Sequence, residues 1–187
     1  GSASTTFSGQ IKNVANAGAS GATSGNGRLT KNGSGTLTLT GISDFKGRTT
    51  IVGGEIIVAS GAVLSDAIAD LYVDGGKITF NNTAQTIENL NTTTSGVSTG
   101  TLFLGAGHTL TTDPASSTTF AAMISGSGNL IKANVLSGAT VRTLTLTGAN
   151  DYTGTTLISG GKISVGNATA LGTTAGDTTV NSGAELL

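Results

Sequence analysis

Apolar and polar residues alternate along short stretches of this chain, and threonine is the usual polar member. In the clearest stretch, Leu37 and Leu39 alternate with threonine at positions 36, 38 and 40. Strict alternation of this kind is typical of a β-strand with one buried face. The same period recurs in later stretches at 56–58, 78–80, 102–104 and 163–165. The pattern therefore predicts many short strands and no long helix.

A long internal repeat organises these strands. The segment Leu-Thr-Leu-Thr-Gly at 37–41 returns at 144–148, and the match continues at the same offset, without a gap, to the end of the chain. Upstream, the segment Gly-x-Gly-x-Leu-x-Lys begins at Gly25 and again at Gly126. Extra residues occur only at single points of each copy, which is typical of loops on a solenoid. We place the repeat copies at approximately 7–80 and 120–187.

A shorter spacing lies within each copy. Glycine pairs at 53–54, 75–76 and 160–161 separate the strands, and glycine permits the positive φ of a sharp corner. The step from Gly54 to Gly76 is close to the roughly 20 residues of one β-helix coil. We therefore predict an all-β fold, a right-handed single-stranded parallel β-helix (β-solenoid) of about eight coils. Stacked at ~4.8 Å per coil, it would form a rod on the order of 40 Å long.

Composition supports a β fold with a buried core. Of the 187 residues, 30 are Gly, one is Pro and none is Cys or Trp, while 10% are charged compared with about 25% in typical domains. A hydrophobic content of 36% in regular alternation argues against disorder. No apolar run approaches the ~18 residues of a membrane span. We interpret Gly1-Ser2 as a cloning remnant and residues 1–187 as a single solenoid segment excised from a longer protein.

Charge gives no indication of a nucleic-acid partner. The net charge is -1, and the nine basic residues are scattered along the sequence without forming a patch. The absence of cysteine means only that no disulfide framework holds the fold, which is compatible with secretion.

The sole histidine is the first candidate for chemistry. His108 is predicted to lie in a turn between strands 101–104 and 109–112, with a structural or solvent-exposed role. A nucleophile elbow and a His-rich or Cys-rich zinc pattern are both missing from the sequence. The sequence therefore predicts no catalytic residue and no enzyme.

The acidic residues are the second candidate. Asp66, Asp70 and Asp74 recur every four residues, but they lack the glycine-bracketed spacing of calcium loops. We therefore predict no metal-binding residue, no cofactor-binding residue and no cofactor.

Two further aspartates, Asp44 and Asp151, occupy equivalent repeat positions, each followed by an aromatic residue. We interpret each aspartate as a turn residue that hydrogen-bonds its own backbone, and Phe45 and Tyr152 as packing across the coil. A repeated ligand contact is the alternative interpretation. The dipeptide Asn32-Gly33, between apolar alternations, is a strong hairpin signal.

The residues of the two copies resemble a known family. Segment 29–58, which begins Leu-Thr-Lys-Asn-Gly-Ser-Gly-Thr-Leu-Thr-Leu-Thr-Gly, is similar to the passenger-associated repeat of bacterial autotransporters. Segment 144–172 is similar to the same repeat, and so is the lead-in that starts at Phe120. The first copy departs from the family pattern at Ser43, Phe45 and Lys46, where Asn, Tyr and Thr are usual.

The resemblance implies a surface-displayed or secreted passenger segment, extracellular or at the bacterial outer membrane. Its parent would be tethered through an outer-membrane β-barrel outside this chain. The implied function is a structural stalk or adhesive segment that presents or mediates cell-surface adhesion, as in virulence-associated adhesins. The implied partners are a host or neighbouring-cell surface, protein or glycan, together with self-association.

A carbohydrate-active β-helix, either a lyase or a tailspike-like glycan-binding fragment, is the alternative function. Paired carboxylates would carry such chemistry, but the acids are mostly scattered and aromatic residues make up only 4% of the chain. An ice-binding solenoid would need a flat threonine array kept in register from coil to coil, and the sequence shows no such register. Because exposed terminal coils are edge strands, we also expect end-to-end association.

Overall fold

The structure is a computed structural model that describes residues 2–13, 27–93, 98–134 and 140–187. In these ranges every regular element is a short β-strand, as the alternation predicts. In chain order the strands are β1 (Thr5–Phe7), β2 (Leu29–Lys31), β3 (Thr36–Leu39), β4 (Thr49–Ile51), β5 (Glu55–Val58), β6 (Leu71–Val73), β7 (Lys77–Phe80), β8 (Ala84–Ile87), β9 (Leu90–Asn91), β10 (Thr101–Leu104), β11 (Thr109–Thr112), β12 (Thr118–Phe120), β13 (Met123–Gly126), β14 (Asn129–Lys132), β15 (Thr143–Leu146), β16 (Thr156–Ile158), β17 (Lys162–Val165), β18 (Thr178–Val180) and β19 (Glu185–Leu186).

The strands stack in parallel into three faces of a β-solenoid. Face 1 contains β1, β3, β5, β7, β10 and β13, and face 2 contains β8, β11, β14, β16 and β18. Face 3 consists of two sheets, β2-β4-β6-β9 and β12-β15-β17-β19, which are joined by a 3.3 Å hydrogen bond from Thr92 N to Thr119 O. From β7 to β15 the strands lie in faces 1, 2 and 3 in turn, whereas β1 to β6 alternate between faces 1 and 3 and β16 to β19 alternate between faces 2 and 3. The chain completes about seven turns, close to the predicted eight. The right-handed sense of the winding stays a prediction.

The length of one coil follows from the register of neighbouring strands. Thr36 pairs with Glu55, and Glu55 pairs with Lys77, so each of these two coils contains roughly 20 residues. The step is longer where Thr118 pairs with Leu144, because this coil carries a longer loop. The coil length inferred from the glycine pairs is thus confirmed for the shorter coils.

The core consists of apolar rows that run along the solenoid. In face 1 the parallel register aligns the inward-facing positions of consecutive coils. Of the positions between them, Thr38 and Phe103 are partly exposed, whereas Thr79 and Ser125 are buried. Each coil therefore buries its apolar side chains only when a neighbouring coil covers them, at about 25 cal/mol per Å² of apolar area. One such row consists of Leu37, Ile56, Ile78, Leu102 and Ile124.

The glycine pairs form corners in two different ways. Gly54 and Gly161 adopt φ values of +66° and +71°, which are accessible to glycine with little strain, as the sequence predicts. Gly76 lies outside this left-handed region and is required for space instead. A Cβ atom there would lie 2.6 Å from Ile51 Cγ2.

The hairpin predicted at Asn32-Gly33 is wrong. The flanking strands β2 and β3 do not pair with each other, because β2 pairs with β4, and β3 pairs with β1 and β5. Gly33 has a φ of +80°, and Asn32 Oδ1 accepts a 2.8 Å hydrogen bond from its amide. A solenoid corner requires the same positive φ as a hairpin turn, so the dipeptide signal does not distinguish the two.

The two repeat copies are rotated relative to each other by one face. Strand β3 of the first copy lies in face 1, whereas its counterpart β15 lies in face 3. In the same way β4 lies in face 3 and its counterpart β16 in face 2. Four turns separate β3 from β13 within face 1, and β15 lies two faces further along the chain. The repeat therefore contains a non-integral number of turns, and equivalent residues of the two copies point in different directions.

Candidate functional site

His108 lies inside the solenoid. It follows a corner between β10 and β11, where the sequence places it, but its side chain is 0% exposed. Its Nδ1 lies 2.8 Å from the Asn82 carbonyl oxygen, which only accepts, so Nδ1 is the donor. The His108 ring stacks on the Phe80 ring with their centroids 4.9 Å apart. Burial lowers the pKa of His108, and the hydrogen bond to Asn82 opposes that shift. Of the two predicted roles, the solvent-exposed one is wrong because the side chain is buried, and the structural one stays a prediction.

Other inward-facing polar residues connect consecutive coils, and sequence analysis missed them. Gln85 Oε1 accepts a hydrogen bond from Leu64 N (2.9 Å), and Gln85 Nε2 donates to Ser65 O (3.2 Å). Asn150 Oδ1 accepts from Ile124 N (2.7 Å), and its Nδ2 donates to Ala170 O (2.6 Å). Ser43, the counterpart of Asn150, accepts from Ile11 N in the first copy (3.1 Å). These side chains satisfy backbone groups where the sheets are interrupted, which is a structural role.

Two equivalent lysines tie coils together at their corners. Lys31 Nζ donates to Gly33 O (2.8 Å) and to Gly53 O of the next coil (3.2 Å). Lys132 Nζ donates to Ala133 O and to Gly160 O (3.4 Å). The Lys132 side chain is 0% exposed, and desolvation lowers its pKa to about 8, against the attraction of Asp113.

Asp44 and Asp151 are exposed, and the aromatic residues that follow them are fully buried. The packing predicted for Phe45 and Tyr152 is therefore confirmed. Tyr152 Oη lies 2.6 Å from Thr156 Oγ1. In the first copy the counterpart of Thr156 is Thr49, whose buried Oγ1 has no hydrogen-bond partner among the described residues because Phe45 has no hydroxyl.

The acidic residues spaced by four do not converge. Each carboxylate accepts a hydrogen bond in a separate place. Asp66 Oδ1 accepts from Ile68 N, and Asp70 Oδ1 accepts from Asn89 Nδ2. Asp74 Oδ1 accepts from Thr93 N. Among the described residues, no group of three His, Cys, Asp or Glu side chains is placed to hold a metal ion.

Charged residues line a groove of about 450 Å³ at the corner that leads into face 3. Backbone hydrogen bonds run from Leu29 N to Arg48 O, from Thr49 N to Asp70 O and from Leu71 N to Asn89 O. They show that consecutive coils contribute to the groove. We call it the charged groove and define it by Arg28, Lys46, Arg48, Asp70 and Glu88.

The charged groove is electrostatically divided. Its cations lie on two adjacent coils, and Asp70 and Glu88 lie on the following two. In the described part of the chain Arg28, Lys46 and Arg48 make no ion pair within 4.0 Å, in contrast to Lys77 with Glu55 and Lys162 with Glu185. The Arg48 guanidinium lies 4.7 Å from the centroid of the Tyr72 ring. The pKa of Glu88 is raised by burial and then by the nearby charges of Asp70 and Asp113.

The charged groove corrects the prediction that the basic residues form no patch. Arg28 and Arg48 lie at neighbouring positions on adjacent coils, and Asp70 lies on the coil after that of Arg48. An alignment of the sequence by coils, instead of by the long repeat, would have placed them together.

The outer surface carries mixed rows. In face 1 the outward row of Thr6 and Thr38 continues with Ile57, Thr79, Phe103 and Ser125. In face 3, Thr30 and Thr50 are followed by Tyr72 and Asn91. Neither row is a continuous threonine array, as an ice-binding surface would require.

The comparison with known families agrees with this architecture. The family model of the passenger-associated-transport-repeat matches residues 29–58 and 142–165. Two stretches of the chain therefore match this repeat. The first repeat spans β2 to β5, and the second spans β15 to β17. The resemblance to autotransporter passenger repeats is thus confirmed.

No curated protein and no solved structure matches the chain. Among the described residues, no helix is long and apolar enough to cross a membrane. Lys46 and Arg48 of the charged groove lie within the first passenger-associated-transport-repeat, and Arg28 lies just before it.

Proposed function

We propose that this chain is a stalk and adhesive segment of a surface-displayed or secreted autotransporter passenger. The observation that carries the proposal is the pair of passenger-associated-transport-repeats built into one parallel β-solenoid. Each coil is held by the coils next to it, so the segment can extend a passenger from the cell surface while exposing polar rows along its length.

Composition supports export and display. The chain has no cysteine, so no disulfide can form before translocation, and 10% charged residues suit passage as an unfolded chain. The proposed role is structural and adhesive, not catalytic. Cleavage of a polysaccharide by the purified chain would contradict it.

The test compares cells that display the whole parent protein with cells in which this segment is deleted in frame. We expect the deletion to reduce adhesion to host cells or aggregation between bacteria, because contact surface and reach are both lost. Equal protease accessibility of the remaining passenger on intact cells is the control for display.

A third strain separates the stalk from the adhesive role. In it, an unrelated β-solenoid with the same number of coils replaces the segment. Restored adhesion would show that the segment acts only as a spacer. Adhesion that stays lost would show that the segment itself carries a binding surface. Unchanged adhesion and aggregation in the deletion strain would contradict both roles.

A further inference from the structure

The fold does not require two of the three cations in the charged groove, Lys46 and Arg48. At the offset of the repeat, Lys46 and Arg48 correspond to Thr153 and Thr155 in the second copy. Both copies form the same corner, since the amide preceding the buried aromatic bonds to the previous coil in each of them, Asp44 to Ile11 and Asp151 to Ile124. Threonine therefore satisfies the local structure, and the positive charges in the first copy need another explanation.

The side-chain donors of these cations are open to a ligand. In the described part of the chain none of the three makes an ion pair within 4.0 Å or a side-chain hydrogen bond. Arg48 stacks over Tyr72, and a guanidinium held by its face keeps its N–H edge available for a carboxylate or a sulfate. Three unpaired cations on two coils are suited to an anionic group.

The other half of the charged groove restricts the class of ligand. Asp70 and Glu88 would repel a uniform polyanion such as a nucleic acid, because like charges at close range are unfavourable. Carboxylates are strong acceptors for hydroxyl donors. A matching ligand therefore carries an anionic group at one end and hydroxyl groups at the other, which is the chemistry of an acidic sugar chain.

We propose that the charged groove binds an acidic oligosaccharide. Its carboxylate or sulfate contacts Arg28, Lys46 and Arg48, and its ring hydroxyls donate to Asp70 and Glu88. The groove volume of about 450 Å³ lies within the ~300–1,000 Å³ typical of small-ligand sites. The inference rests on the adhesive function proposed above and names the class of surface molecule that the segment contacts.

The test is calorimetric titration of the purified chain with a hexamer of galacturonic acid and with a sulfated hexasaccharide, at low and at physiological salt. The variant Lys46→Thr/Arg48→Thr imports the residues of the second copy, so we expect it to retain the fold. We expect it to bind at least about tenfold more weakly, because two of the three cations that contact the anionic group are lost and hydrogen bonds to charged groups are the strong ones. The methyl-esterified hexamer, which lacks the charge, is expected to bind as weakly.

The matched control is Lys77→Thr/Lys162→Thr, which removes two cations outside the groove and whose exposed ion pairs contribute little to stability. It is expected to bind like the unaltered chain. Equal weakening by the two double variants would overturn the inference, and so would equally tight binding of an acidic peptide. If neither saccharide binds at millimolar concentration, the inference fails, while the adhesive function is still decided by the cell assay.

Discussion

At the scale of single residues, the two copies fill the same buried corner with different aromatic side chains. A buried aromatic fills the corner in both, but only Tyr152 offers a hydroxyl, which bonds to Thr156. The equivalent threonine in the first copy, Thr49, has a buried hydroxyl without a partner among the described residues. Leaving a buried polar group unpaired is destabilising, so the first copy is expected to contribute less stability at this position.

We predict that Phe45→Tyr stabilises the protein by about 1 kcal/mol, because it supplies the missing partner for Thr49. Urea unfolding is the measurement. The reverse change in the second copy, Tyr152→Phe, should destabilise the protein by a similar amount. Adding Thr49→Val to Phe45→Tyr should remove the gain. A Phe45→Tyr variant less stable than the parent would show that the corner has no room for the hydroxyl.

At the scale of the coil, the corner decides how one strand leads to the next. Glycine supplies the backbone conformation, and a lysine closes the corner by donating to carbonyl groups of its own coil and of the next one. Lys31 is partly exposed, whereas Lys132 is completely buried. The corner lysine is therefore more strongly desolvated in the second copy than in the first.

We predict that Lys132 makes the protein more stable as pH rises from 7.5 to 9.5. Its folded pKa of about 8 lies below the ~10.4 of an unperturbed lysine. The unfolded chain thus binds more protons in this window, and stability increases with pH by on the order of 2 kcal/mol.

The comparison uses Lys132→Met, in which this slope should disappear, and Lys31→Met, in which it should persist. Urea midpoints at a series of pH values below the tyrosine pKa provide the slopes. A ¹³C titration of the Lys132 side chain in the unaltered protein reports its pKa without any substitution. An ordinary lysine pKa there would refute the prediction.

At the scale of the whole molecule, the solenoid presents two unlike ends. Near the first coils, a cavity of about 290 Å³ is lined by apolar side chains that include Phe7, Ile11 and Leu37. At the other end β18 and β19 are exposed, with Val180 and Leu186 about two-fifths exposed. Unpaired strand edges beside apolar surface favour association, and contact between unlike ends lengthens a rod without closing it.

We predict that the isolated chain associates end to end as its concentration rises, which multi-angle light scattering would detect. Leu186→Lys should suppress this association, because it places a charge at one contact surface. Val141→Lys, at an exposed position on the side of the rod, is the matched control and should have no effect. A single monomeric mass at high concentration would rule this association out.

Local sequence is sufficient to predict the strands, the corners and the resemblance to the passenger-associated repeat. The alternation of Leu37 and Leu39 with threonine places a buried face within one strand, because the pleat repeats every two residues. The same local rules predict the first and last residues of β10 and β11. They also predict the positive φ of Gly54. These features depend on a few neighbouring residues, and the sequence records them directly.

The residues that lie side by side on neighbouring coils are known only from the three-dimensional structure. Coil steps of unequal length shift the alignment of each coil with the next, because corner loops vary in length. Three features depend on those shifts. They are the rotation of the copies by one face, the packing of His108 against Phe80 and the proximity of Arg28 to Arg48. Local periodicity contains no information on the length of each coil, so the charged groove could not be predicted from the sequence pattern.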